Sequence, residues 1–261
     1  MTIAFRNTVL ILGIIIGCII AILFSYTLYR ILTEYGEFFW SDTGSVKNAA
    51  VSVAFILVSL IAGIILKSYF KKSTSVEIFF FILFVLSLSF EALRVELLLL
   101  ELTNQPAYFG AIITRIVFFG RIFRILCLFT AGLFATGFTY QKYELFIGLA
   151  ILIAFTLAGT VAVDTSKMLN ELIYDVGNRF EVRVVLIGLS IATVFNFVLG
   201  GILHNNRDYL FIGAGAACAV VGLELLSHSL ELYLIIPGFV LLLGGIFLYS
   251  NRVHALYMWG G

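Results

Sequence analysis

The segment "FEALRVELLLLE", Phe90 to Glu101, sets three carboxylates and a guanidinium in an otherwise apolar run. The next apolar run carries three more guanidinium groups in "RIVFFGRIFR": Arg115, Arg121 and Arg124. These are the side chains with which the chain can do chemistry. A carboxylate holds or moves a proton, and an arginine forks onto a carboxylate or a phosphate. In hydrocarbon each lone charge costs about 2.5–3.5 kcal/mol on insertion scales. Such groups must pair, face the interior of a bundle, or line a wet cavity.

Their depth follows from counting. From Ile78 to Phe90 there are 13 uncharged residues, which as a helix put Glu91 about 20 Å from one boundary. From Ile125 to Thr139 there are 15 uncharged residues, which put Arg124 about 22 Å from the same boundary if the two segments are antiparallel. Opposite charges thus meet at one level. At about 100° per residue, Glu91, Arg94 and Glu101 share a face, and Glu96 points elsewhere. Arg121 and Arg124 share a face of their own helix, with Arg115 about a third of a turn away. The spacing predicts that Glu91 meets Arg124, and that Arg121 meets the partners of Arg94 or Glu96. Glu224 is a further candidate for the same site, with His228 nearby and Asp164 and Glu231 at the rim. Four arginines against three glutamates leave a positive charge that suits an anionic ligand or lipid.

The elements that hold these groups are membrane helices. The chain has 261 residues, of which 62% are hydrophobic and 12% charged, too little polar surface to cover a soluble core of that length. Eight apolar segments are long enough to span a core of about 30 Å. They run roughly over 8–29, 48–67, 77–100, 110–139, 145–163, 184–204, 208–228 and 231–250. Only "SHSLE", Ser227 to Glu231, separates the last two, so seven spans is the fallback. The expectation is a single all-α polytopic domain over 1–261. The apolar run after "MTIAFRN" exceeds the core of a signal peptide and reads as an uncleaved first span.

Orientation follows from basic residues in short loops. Arg6, Lys67, Lys71, Lys72, Lys142, Arg207 and Arg252 fall on one side, and Arg30, Lys47, Lys167, Arg179 and Arg183 on the other. The first side is expected to be cytoplasmic, with both termini there, and the chain to reside in the cytoplasmic (inner) membrane. The charged groups then gather in the outer half. Of the two long outer loops, one holds "EYGEFFWSD". The other holds Met168, Leu169, Leu172, Ile173 and Val176 at helical spacing, with Asp164, Thr165 and Ser166 as caps and Gly177 as a stop. A short amphipathic helix over 165–177, lying on the outer face, is expected there.

Small residues mark close helix packing. They occur at Gly13, Gly17 and Ala21, at Ala150, Ala154, Ala158 and Ala162, and along Gly213–Gly222. Pro237 and Gly238 point to a kink early in the last span. Cys18, Cys127 and Cys218 lie mid-segment and read as packing residues.

Several function classes are excluded. A net charge of +1 gives no footprint for nucleic acid. There is no zincin, P-loop, hydrolase-elbow or paired-cysteine motif, and no histidine pair at one depth for haem. No cofactor or metal is expected. The expected function is non-enzymatic. An outward-facing charged site at Glu91, Arg94, Glu96, Arg115, Arg121, Arg124 and Glu224 serves sensing or recognition, or the chain is a subunit that works through a partner membrane protein. The alternatives are a transporter or permease component for a small or lipid-like, anionic solute, and an intramembrane enzyme using Glu91 or Glu224 with His228. The terminal "YMWGG" is compatible with a chain that continues in a longer protein.

Overall fold

A computed structural model describes residues 3–70, 75–138, 142–169, 171–177, 179–228 and 232–259. Eight helices in it are long and apolar enough to cross a membrane. They are α1 (Ile3–Glu34), α3 (Thr43–Tyr69), the continuous run from α4 (Val76–Leu86) through a 3₁₀ stretch (Ser87–Leu93) into α5 (Arg94–Leu102), α6 (Ala107–Ala135), α7 (Tyr143–Thr160), α8 (Arg179–Leu203), α9 (Asp208–His228) and α10 (Leu232–Trp259). Both α9 and α10 form, so the count is eight rather than seven. The first three spans run past their expected ends on both sides, α6 and α7 stop short of their expected C-terminal ends, α9 matches 208–228, and α10 continues nine residues beyond 250; Pro237 lies inside α10.

The third span is the axis of the bundle. Phe79, Phe80, Phe81 and Phe84 are all buried, because α4 is apolar on every side and so can be enclosed on every side. α6 packs along it, and α1 and α3 close it from the other side. Phe81 stacks on Tyr249 of α10 with ring centroids 3.6 Å apart. The sixth span, by contrast, has only 11% of its most apolar window buried.

Ends can be told apart by contacts. Arg6 Nη1 donates to the Phe70 carbonyl at 3.2 Å, and the His254 ring lies 4.5 Å from that of Tyr69. So α1 begins, α3 ends and α10 ends on one face of the bundle. The opposite face carries a six-residue helix, α2 (Gly36–Ser41), and a two-stranded antiparallel hairpin, β1 (Val163–Met168) with β2 (Tyr174–Val176). It is called the hairpin end below.

That hairpin corrects the amphipathic helix expected over 165–177. Asp164 Oδ1 accepts from the Ser166 amide at 3.0 Å and from its hydroxyl at 2.6 Å, a local bond that here lies within a strand rather than at the start of a helix. Leu172 has φ 55°, and the Leu169 amide donates to the Ile173 carbonyl at 2.8 Å. The apolar residues at helical spacing still turn inward, since Leu172, Ile173 and Val176 are buried. An antiparallel hairpin satisfies the same pattern.

Candidate functional site

The 3₁₀ stretch exists because serines compete for the backbone. Ser87 Oγ donates to the Phe84 carbonyl at 2.7 Å, and Ser89 Oγ to the Leu86 carbonyl at 2.9 Å. Ser59 Oγ, reaching across from α3, donates to the same Leu86 oxygen at 2.7 Å. Hydroxyls bonded back three residues bend a helix, and the tighter 3₁₀ winding turns following side chains by about 120° per residue. A Cβ on Gly120 of α6 would lie 2.4 Å from Phe90 Cβ, so only glycine lets α6 approach the break this closely.

Glu91 sits inside the break, 1% exposed. Arg121 forks onto it, Nε to Oε1 at 2.9 Å and Nη2 to Oε2 at 3.0 Å. Arg124 Nη1 donates to Oε1 at 2.8 Å. The third nitrogen of Arg121, Nη1, donates to Glu171 Oε2 at 3.4 Å. Glu171 is buried and belongs to the turn of the hairpin. The sequence reading placed the Glu91–Arg124 contact correctly and did not single out Glu171, whose loop position hid its burial. Its one signal was an acid embedded in "MLNELI" among residues that all need cover.

Arg94, also 1% exposed, takes a different place. Its Nε donates to Ser52 Oγ at 3.3 Å, and its guanidinium lies 5.8 Å from the Phe55 ring centre. Nη1 and Nη2 have no acceptor among the described residues. Ser52 belongs to a polar stripe on α3, with Ser45 and Asn48, that is buried throughout. Such small hydroxyls draw no notice in a hydropathy reading.

The remaining expected residues separate. Glu96 is engaged by Thr27 of α1, whose Oγ1 donates to Oε2 at 2.5 Å, and does not meet Arg121. Arg115 and Glu101 are exposed and lie outside the cluster. The physical reason is the break: side chains beyond Leu93 are re-phased relative to a uniform helix, and Arg115 falls a third of a turn from Arg121, where its long stem reaches outward. Glu224 of α9 stands near enough to Arg121 and Arg124 to act on both charges. The His228 side chain and Glu231, invoked with it, lie outside the described residues.

Two cavities lie beside the cluster. A chamber of about 40 Å³ is walled by Arg121, Arg124, Ile173, Glu224 and Ser227. A groove of about 720 Å³ runs between α8 and α9, walled by Ile187, Ile191, Val194, Ala217 and Val221. Arg183 and Glu224 line both. Among the described residues, no three His, Cys, Asp or Glu side chains are grouped to hold a metal ion.

No family model matches the chain. An uncharacterized protein of Treponema pallidum (strain Nichols) is similar to it, with 29% identity over 122 residues, or 46% of this chain. The match spans 35% of that relative's length. These findings and the eight apolar helices describe a helical protein of multi-pass membrane type.

Proposed function

We propose that the chain is a non-enzymatic recognition module of the cytoplasmic membrane, with the hairpin end facing outward. It detects occupancy of the site beside Arg121 and Arg124 and passes that state to a partner membrane protein through its helices. One observation carries the reading: Arg121 is held at once by Glu91 in the break of the third span and by Glu171 in the hairpin. A displacement at either end must be felt at the other, which is what a sensing element needs. The Glu91 carboxylate is fully engaged by two guanidinium groups, which suits a fixed anchor better than a proton carrier.

A transporter component is the second reading. The break at Glu91 favours it, because interrupted helices mark substrate sites in transporter folds. Sealed liposomes holding the purified chain decide between the two. Under the recognition reading they pass no entrapped phosphate, chloride or potassium beyond protein-free controls. Sustained flux that Glu91→Gln abolishes would establish transport and defeat recognition.

A further inference from the structure

The chamber and the groove differ in chemistry yet share two wall residues, Arg183 and Glu224, which mark the doorway between them. The chamber offers donors. Arg124 has one acceptor among the described residues, Glu91 Oε1, so Nε and Nη2 are uncommitted. Ser227 Oγ, in a residue only 4% exposed, has no partner among the described residues. Arg183 stands exposed at the doorway. The two cavities together are lined by Arg121, Arg124, Arg183 and Glu224; Glu91 and Glu171 stand behind the first two arginines. The remaining donors of Arg124, the exposed Arg183 guanidinium and the Ser227 hydroxyl are what an anionic oxygen cluster would meet, and arginine forks suit phosphate oxygens.

Beyond Arg183 and Glu224 the groove is lined by apolar side chains, apart from Ser190, whose hydroxyl is bonded back to the Leu186 carbonyl at 2.8 Å. Ile187, Ile191 and Phe195 of α8 are 45%, 65% and 59% exposed, and nothing lies within 4 Å of a Cβ placed on Gly188. Its lining runs from Arg183 to Val198 along α8, about 22 Å at helical rise. One leaflet of hydrocarbon is about 15 Å deep, so the groove can take one acyl chain over its whole length.

We infer that the chamber and groove form a single binding site for a phosphate-bearing anionic lipid. The headgroup phosphate enters the chamber between Arg183, Arg124 and Ser227, and an acyl chain lies between α8 and α9. A second copy of the chain fits less well. A two-fold axis along the membrane normal sets each residue against its own kind at one depth, so α8 against α8 would face Arg183 with Arg183. The inference deepens the recognition reading and rests on it only in naming the same site.

The test is native mass spectrometry of the whole chain in uncharged detergent, titrated with phosphatidylglycerol or phosphatidylcholine of equal acyl length. One phosphatidylglycerol is expected to be retained in preference to phosphatidylcholine. Arg183→Gln, at an exposed position, should weaken it about fivefold, the effect of one basic residue near a lipid surface. Ala217→Trp fills the groove and should expel the lipid; Val221→Trp, at a half-exposed wall position, repeats the test if Ala217→Trp fails to fold. Equal retention of both lipids, or retention unchanged in Arg183→Gln and in a folded groove variant, overturns the inference. So does a lipid-free dimer that the groove variants dissociate, or inorganic phosphate binding as tightly as the lipid and indifferent to the groove. Liposome flux with intact lipid selectivity would sink recognition and leave this site standing; silence in flux with no selectivity would do the reverse.

Discussion

Arg121 closes a two-point fork on Glu91, with Nε–Oε1 at 2.9 Å and Nη2–Oε2 at 3.0 Å, both side chains being buried. Arg124 adds a third bond to the same carboxylate. One carboxylate of the third span therefore holds two guanidinium groups of α6, and its loss would leave Arg124 without a close carboxylate among the described residues and Arg121 with Glu171 alone. Removing one partner of a buried ion pair costs about 3–5 kcal/mol. Glu91→Gln should lower the unfolding midpoint in detergent accordingly. The exchange Glu91→Arg with Arg124→Glu should not rescue it, because the new arginine would face Arg121. Recovery of wild-type stability by the exchange would show that Arg121 is not the principal partner.

Arg94 predicts the opposite sign. It shares the burial of Arg121 but forms no ion pair with a carboxylate among the described residues, Glu91 and Glu171 acting on it only from a distance, and its two terminal nitrogens lack acceptors among the described residues. A buried charge with no close partner keeps its desolvation penalty, and an apolar side chain of similar volume removes it. Arg94→Met should thus unfold no earlier than wild type, while Arg121→Met unfolds well before it. An early transition for Arg94→Met would mean that this guanidinium is matched by a group its surroundings do not reveal.

The hairpin provides a local test. Glu171 holds the turn to Arg121 at 3.4 Å, and Leu172 and Ile173 bury beside it. Glu171→Gln should raise amide hydrogen exchange across 169–177 severalfold with α4 and α6 unchanged, since locally opened segments exchange independently of the core. Exchange unchanged at the hairpin would show that apolar contacts alone keep it seated. Exchange raised throughout would show that the link stabilises the whole bundle.

How much of this was legible in the sequence depends on what each inference assumed. Counting uncharged residues needs only the rise of a helix, so the shared depth of Glu91 and Arg124 emerged directly, as did eight spans. Assigning faces needs an unbroken 3.6-residue repeat. Ser87 and Ser89 interrupt that repeat, so Glu101 left the face expected for it, and Glu96, expected to point elsewhere and meet Arg121, found Thr27 instead. Reading 165–177 as a helix rested on Leu169, Leu172, Ile173 and Val176, whose spacing a tight hairpin meets equally well. Ser52 and Glu171 escaped notice because small hydroxyls and loop acids become informative only once a neighbour buries them.

At the first long loop, Asp42 caps α3, accepting from the Gly44 and Ser45 amides at 3.1 Å each and from the Ser45 hydroxyl at 2.5 Å. The hydroxyl first, and the amides with it, hold its carboxyl below the ordinary carboxylate range. A pKa lower in the folded state than in the unfolded chain adds stability above the unfolded value, near 3.9. That stability fades as pH falls through the folded value. Asp42→Ala should therefore cost about 1 kcal/mol at neutral pH, as lost caps do, and less at the acid end, where the neutral carboxyl still accepts from the amides without its charge. Unfolding midpoints of the two proteins should converge on acidification. A gap independent of pH would assign the cap to shape rather than charge.

The last prediction concerns how α9, which carries Glu224 and Ser227, is held in place. A Cβ on Gly222 would lie 2.5 Å from Leu242 N and 2.6 Å from the Gly238 carbonyl oxygen; on Gly245, 2.5 Å from Ala219 N and 2.6 Å from the Gly215 carbonyl oxygen. The obstacles are backbone atoms, so no side chain can yield and the helices would have to part. In a membrane no hydrophobic force draws them together again, and close backbone approach is the attraction itself. Gly222→Val and Gly245→Val should each destabilise by at least about 1–3 kcal/mol, the usual cost of overpacking. Gly148→Ala on α7, where nothing lies within 4 Å, should be neutral or slightly stabilising. Because Gly222 is two residues from Glu224, Gly222→Val should also loosen lipid retention beside Arg183. Gly245→Val, farther from the doorway along the same contact, should affect stability more than binding. Equal stability of all three variants would mean that α9 and α10 are not joined through their glycines.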